Sequence, residues 1–189
     1  MHPLCVSGFN MIYLYKYKLK KGESCRSLGF IRDALERCFP DRGGEIGLYK
    51  DELGKPLTDR DEIRVSATHT GDIVICAVSG KEVGIDAQTV KEGLNAERIA
   101  GRFFTEHEEK KVLEEGPEAF YEIWCRKEAF SKVTGKGLSY GLKKISTVNE
   151  SGEYNPEIDG VRIIGERIPE GYFACAGGEG EILWTEIQE

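Results

Sequence analysis

The 189-residue sequence predicts an α+β fold of two similar βαβββ-like lobes, related as a pseudo-dimer with the active site at their interface. A strand pattern followed by helical periodicity and then by short strands occurs twice along the chain. No long linker or low-complexity segment separates the two occurrences. Apolar residues make up 40% of the chain, enough to fill a core shared by two small lobes. The expected boundaries are 11–80 for the first lobe and 81–189 for the second. Residues 1–10 read as an extension, because Met11 opens a cleaner strand pattern than Met1.

The first lobe begins with MIYLYKYKL (11–19), which alternates as a strand does. Leu28, Ile31, Leu35 and Cys38 recur at helical spacing until Pro40 ends the run. Three short strands are expected at Ile46–Lys50, Ile63–Ala67 and Asp72–Val78, with LGKPLTD and THTG as the turns between them. The second lobe opens with the strand VGIDAQ (83–88) and continues through helices between Asn95 and Thr134. Its strands are expected near Lys143–Val148, Val161–Ile168, Tyr172–Ala176 and Ile182–Ile187.

Composition narrows the function. A net charge of −7 disfavours broad nucleic-acid binding, which depends on neutralising phosphates, so any phosphate site is local. No run approaches the roughly 20 apolar residues of a membrane helix, and the N-terminal stretch lacks an export pattern. The six cysteines contain no CxxC pair, which fits a reducing cytoplasm better than a disulfide framework or a zinc knuckle.

Several side chains are candidates for chemistry, each with a simpler structural reading beside it. Asp86 and Gln88 are two apart on one strand and share a face, with Gly84 leaving room beside them; a hard cation suits that face, and so does a mere turn start. In the helix after Pro117, Phe120, Ile123, Phe130 and Val133 form the buried stripe. Trp124, Glu128 and Lys132 follow at i, i+4 and i+8, with Lys127 nearby. The simple alternative is a surface ion pair of Glu128 with Lys132. Thr105 and Glu108 have capping-box spacing. His69 between Thr68 and Thr70 offers donors to a phosphate on a tight turn, or is an ordinary loop histidine. Lys55 is fixed by Gly54 and Pro56, and Arg26 at the start of the first helix opposes its dipole, which invites an anion between them.

The order of these motifs is more informative than any one of them: GKP, THTG, GIDxQ, RFFTxxE, then WCRKEAFSKVTGKGL. It closely resembles the 4′-phosphopantetheinyl transferase superfamily, in its longer, two-lobed, surfactin-synthetase-activator-like branch. The resemblance runs from about Arg26 to Leu138, and WCRKEAFSKVTGKGL is its most specific part.

The resemblance implies a transferase that moves the 4′-phosphopantetheine group from coenzyme A to a serine of an apo acyl or peptidyl carrier protein, releasing 3′,5′-ADP. It implies Mg²⁺, with Mn²⁺ as an alternative, at Asp86 and Glu128. Gln88 stands where the pattern GIDxE has its second acid, and a neutral amide is a poorer ligand, so the site is retuned rather than abolished. Lys132 matches the lysine that approaches the pyrophosphate, and Thr68 with His69 matches a Ser-His pair on phosphate. Lys55, Pro56 and Arg26 match the positions around the 3′-phosphate and adenosine. Trp124 and Lys127 are further motif members, Lys127 being grouped with the coenzyme A contacts. The base is assigned to Glu128, directly or through a water, with Glu108 as the alternative. A cytoplasmic monomer that touches neither nucleic acid nor membrane completes the expectation. Its rivals are the short trimeric holo-carrier synthase type and a non-catalytic coenzyme A or carrier-binding module.

Overall fold

The computed structural model describes residues 11–20, 27–91, 93–135, 141–178 and 180–187. Two compact units emerge, one running to Ile85 and resuming at Gly177, the other spanning Asp86–Ala176. The second unit is thus nested within the sequence of the first, whereas a single boundary near residue 80 was expected.

In the first unit, β1 (Met11–Lys18), β4 (Arg64–Thr70), β5 (Ile73–Ser79) and β10 (Glu181–Ile187) form a sheet in the order β10-β1-β5-β4. β10 runs parallel to β1, and the β1–β5 and β4–β5 pairs are antiparallel. The helix α1 (Ser27–Cys38) turns Ile31, Ala34, Leu35 and Cys38 towards Tyr15, Tyr17, Val74, Cys76 and Val78, in one buried cluster. Helical spacing on one side and strand alternation on the other supply the matching apolar faces.

Two expected turns contain strands. LGKPLTD holds β3 (Pro56–Thr58), which pairs with β2 (Leu48–Lys50) as a hairpin. The THTG segment is strand through Thr70, because Thr70 pairs with Ile73 across the two-residue loop Gly71-Asp72. Gly71 has φ of 56°, as the first position of such a loop requires.

In the second unit β6 (Val83–Gln88), β7 (Glu157–Ile158), β8 (Val161–Ile168) and β9 (Gly171–Gly177) are ordered β6-β9-β8-β7. The chain passes from one unit to the other within β6. Both sheets share one connectivity: the strand that precedes the helices lies beside the last strand of the following hairpin. Helices α2 (Ala96–Phe103), α3 (Glu106–Glu115) and α4 (Pro117–Thr134) complete the second unit. Phe120, Ile123, Cys125, Ala129 and Phe130 of α4 lie at the centre of its core. The strand expected over Lys143–Val148 is absent; Leu142–Lys144 is a 3₁₀ turn, and Val148 makes an isolated bridge to Tyr154.

Candidate active site

Asp86 and Gln88 project from one face of β6, as their spacing requires, and Gln88 Nε2 donates to Asp86 Oδ2 at 3.0 Å. Lys132, in the last turn of α4, places Nζ 2.9 Å from Asp86 Oδ1. The simple helix-surface pairing of Lys132 with Glu128 is therefore replaced by a contact between helix and strand. Asp86 is only 4% exposed, and an unpaired carboxylate at that depth would be costly.

Glu128 lies one turn before Lys132 and is partly buried. Burial, then the negative charge of Asp86, push its carboxyl above the ordinary range, against the opposing pull of Lys132. Two carboxylates thus strain against each other with one ammonium to compensate. The thiol of Cys125 in the same helix is held protonated by burial and by the Asp86 charge.

The pair that was to serve as alternative base and coenzyme A contact is enclosed. Lys127 Nζ lies 2.7 Å from Glu108 Oε2, and neither side chain has any exposed surface. Glu108 accepts from Thr105 N at 2.8 Å, which closes the capping interaction of α3, and from Thr147 N and Oγ1 at 2.7 and 2.8 Å. Lys127 also donates to the carbonyls of Leu142 and Ile145. Burial lowers the Lys127 pKa despite the adjacent carboxylate. Both groups brace α3, α4 and the 142–147 loop, and no atom of either side chain is open to a ligand. Trp124 stacks on Phe120 with ring centroids 5.7 Å apart and packs, partly buried, against the core.

Within the first unit, Asp51 Oδ1 accepts from Leu53 N and Lys55 N, and Gly54 adopts φ of 84°, so Lys55 and Pro56 leave a tightly specified turn. Lys55 Nζ meets Glu82 Oε2 at 3.0 Å, and Arg64 Nε meets Glu82 Oε1 at 2.5 Å. Partial burial pushes the Glu82 carboxyl up, but Lys55 and Arg64 together outweigh it and hold it below the ordinary range. Sequence reasoning missed Arg64 and Glu82, because no motif marks them. Thr68 and His69 are neighbours on β4, not members of a tight turn, and therefore point to opposite faces: Thr68 is buried and His69 exposed. Arg26 lies outside the described residues.

The donor set of the second unit suits a hard divalent cation. Asp86, Glu128 and the Gln88 amide offer oxygen alone, and the mutual repulsion raising Glu128 is what a cation would relieve. Among the described residues no three His, Cys, Asp or Glu side chains gather at one point.

Residues 82–164 match the family model of the 4′-phosphopantetheinyl transferase superfamily. The chain is 32% identical over 134 residues to the 4′-phosphopantetheinyl transferase Sfp of Bacillus subtilis (strain 168), covering 68% of this chain and 59% of that protein. It is 38% identical over 106 residues to the 4′-phosphopantetheinyl transferase psf-1 of Bacillus pumilus, covering 53% and 45%. A third relative, the 4′-phosphopantetheinyl transferase gsp of Aneurinibacillus migulanus, is 37% identical over 93 residues, covering 47% and 38%. The matched region spans less than two thirds of each of these relatives.

Proposed function

We propose that this chain, whose residues 82–164 belong to the 4′-phosphopantetheinyl transferase superfamily, transfers the 4′-phosphopantetheine group of coenzyme A to a serine of an apo acyl or peptidyl carrier protein. The observation that carries the reading is the meeting of Lys132 with the buried Asp86, beside a Glu128 carboxyl of raised proton affinity.

The carrier serine must lose its proton as its oxygen attacks the β-phosphorus, and the leaving 3′,5′-ADP must be stabilised as charge moves onto it. Glu128 takes the proton, directly or through a water. Glu108, with both carboxylate oxygens engaged by Thr105, Thr147 and Lys127, is left to hold the scaffold. Lys132 serves the leaving group by turning its ammonium from Asp86 towards the pyrophosphate. Asp86, Glu128 and Gln88 would hold Mg²⁺ or Mn²⁺, which when bound polarises the pyrophosphate and offsets its charge. In the first unit, Lys55 and Pro56 are assigned to the adenosine and 3′-phosphate end, and Thr68 and His69 to phosphate. Arg26 joins the 3′-phosphate contacts. The internally related, two-lobed arrangement is part of this reading.

Action in the cytoplasm as a monomer, away from nucleic acid and membranes, is also part of it. The acidic charge supports this, as do the buried, unbridged thiols of Cys125 and Cys175. Among the described residues no helix is long and apolar enough to cross a membrane.

The direct test is intact-mass measurement of apo carrier proteins after incubation with the chain, coenzyme A and Mg²⁺. A phosphopantetheine increment on the carrier is expected. No increment on any of several carriers would overturn the reading. Binding of coenzyme A without turnover across a Mg²⁺ titration would identify the non-catalytic alternative that Gln88 suggests.

A further inference from the structure

Three elements converge on the Glu82 carboxylate. Lys55 comes from the turn before β3, Arg64 from the first position of β4, and Glu82 immediately precedes β6. The Glu82 carbonyl accepts from Gly178 N at 2.7 Å, which fixes its backbone. Each carboxylate oxygen takes one cation, Oε2 the ammonium and Oε1 the guanidinium. An O–C–O edge and an O–P–O edge present two oxygens at nearly the same separation, so a seat that fits this carboxylate also fits a phosphate.

The charges and exposures show which partner can leave. The triad sums to +1, since two cations face one anion. Its positive field therefore persists while Glu82 is seated. The Lys55 and Arg64 side chains are 24% and 30% exposed, whereas Glu82 is 48% exposed and has water to turn into. Pairs as exposed as these are held weakly, so a doubly charged phosphate can displace the carboxylate.

We infer that Glu82 is an internal stand-in for the 3′-phosphate of coenzyme A, and that Arg64 joins Lys55 in holding that phosphate once Glu82 swings out. The inference rests on the proposed function, because that reading brings coenzyme A to Lys55. Glu82 tunes affinity for the donor: it keeps the two cations apart and aimed, at the cost of competing for them. It thereby sets how strongly the enzyme prefers coenzyme A to its 3′-dephospho analogue.

Isothermal titration of coenzyme A and 3′-dephospho-coenzyme A into the wild-type chain, Glu82→Gln and Arg64→Gln tests this. Glu82→Gln should bind coenzyme A about three- to tenfold more tightly, with its affinity for the dephospho analogue within about twofold of wild type. Arg64→Gln should weaken coenzyme A by about the same factor and again spare the analogue. Unchanged or weaker coenzyme A binding by Glu82→Gln, or equal tightening for both ligands, overturns the stand-in while the transferase reading survives. No binding of coenzyme A by the wild-type chain removes the proposed function itself. Circular dichroism of both variants, whose substitutions lie at the surface, confirms that folding is unchanged.

Discussion

Lys132 and Asp86 lie 46 positions apart in sequence and 2.9 Å apart in space, tying the end of α4 to the strand that carries the candidate metal ligands. The ammonium compensates the buried carboxylate and sits within electrostatic range of Glu128. Removing any one of the three charges alters the other two.

Asp86→Ala and Glu128→Ala should each lower transfer by at least about 100-fold while the far-ultraviolet circular dichroism stays that of the wild type. With Gln88 at the third position, neither carboxylate has a charged substitute. Carrier loading followed by mass spectrometry measures the loss, and near-normal loading by either variant would remove the assigned metal site.

Added Mg²⁺ should raise the melting temperature of the wild-type chain in the absence of coenzyme A. Binding to the folded state alone stabilises by about 2.7 kcal/mol at a hundredfold excess over the dissociation constant. Asp86→Ala should lose this increment, so an equal rise in the variant would move the ion elsewhere.

Glu128→Gln should be more stable than the wild type at neutral pH and inactive. The folded Glu128 binds its proton above the ordinary value of 4.5, so its neutral form is the one folding favours. That favourable contribution is fully present below pH 4.5 and is lost as pH rises through the folded pKa. The variant should therefore gain about one or two degrees in melting temperature at pH 7, after allowance for solvent screening, and almost nothing at pH 4. Melting curves across that range decide the sign.

Lys127→Met should destabilise the second unit by about 3–5 kcal/mol, since Glu108 would be left charged and enclosed. Pairing it with Glu108→Gln should recover part of the loss. Urea denaturation of the single and double variants measures the coupling; simple additivity would show that the two residues act independently.

Gly171→Ala should disturb the end of β6. A Cβ there would overlap the carbonyl oxygen of Gln88, which is backbone and cannot turn aside. The expected cost is about 1–3 kcal/mol, together with weaker Mg²⁺-dependent stabilisation, both read from thermal melts.

Much of the fold was legible because periodicity survives in single elements. The spacing of Leu28, Ile31, Leu35 and Cys38 marked α1, and β8 runs over Val161–Ile168 as expected. β3 was hidden by its shortness and by Pro56, which reads as a turn residue. β7 is marked in the sequence by its turn dipeptide: Asp159 and Gly160 both have positive φ, 50° and 77°, as a two-residue hairpin requires. Over Lys143–Val148 the apolar pattern suggested a strand, but the Leu142 and Ile145 carbonyls serve the buried Lys127 ammonium. That demand comes from tertiary structure and leaves no local trace.

The candidate site was legible in part for the same reason. Period two put Asp86 and Gln88 on one face, and period 3.6 put Glu128 and Lys132 on one side of α4. Which carboxylate Lys132 would choose depended on the packing of α4 against the sheet. The burial of Lys127 beside Glu108 depended on three separate segments, and the meeting of Arg64 and Glu82 on a pairing between distant residues.

The parallel pairing of β10 with β1 governs the order in which the protein can be completed during synthesis. Translation delivers β1 well before β10, with all of Asp86–Ala176 between them. While the nested unit emerges and gains its own contacts, β1 waits with one hydrogen-bonding edge unpaired, a state open to association with other chains. A ribosome stalled before Gly177 would hold the molecule there, with Asp86, Glu128 and Lys132 already made and the first sheet lacking its outer strand.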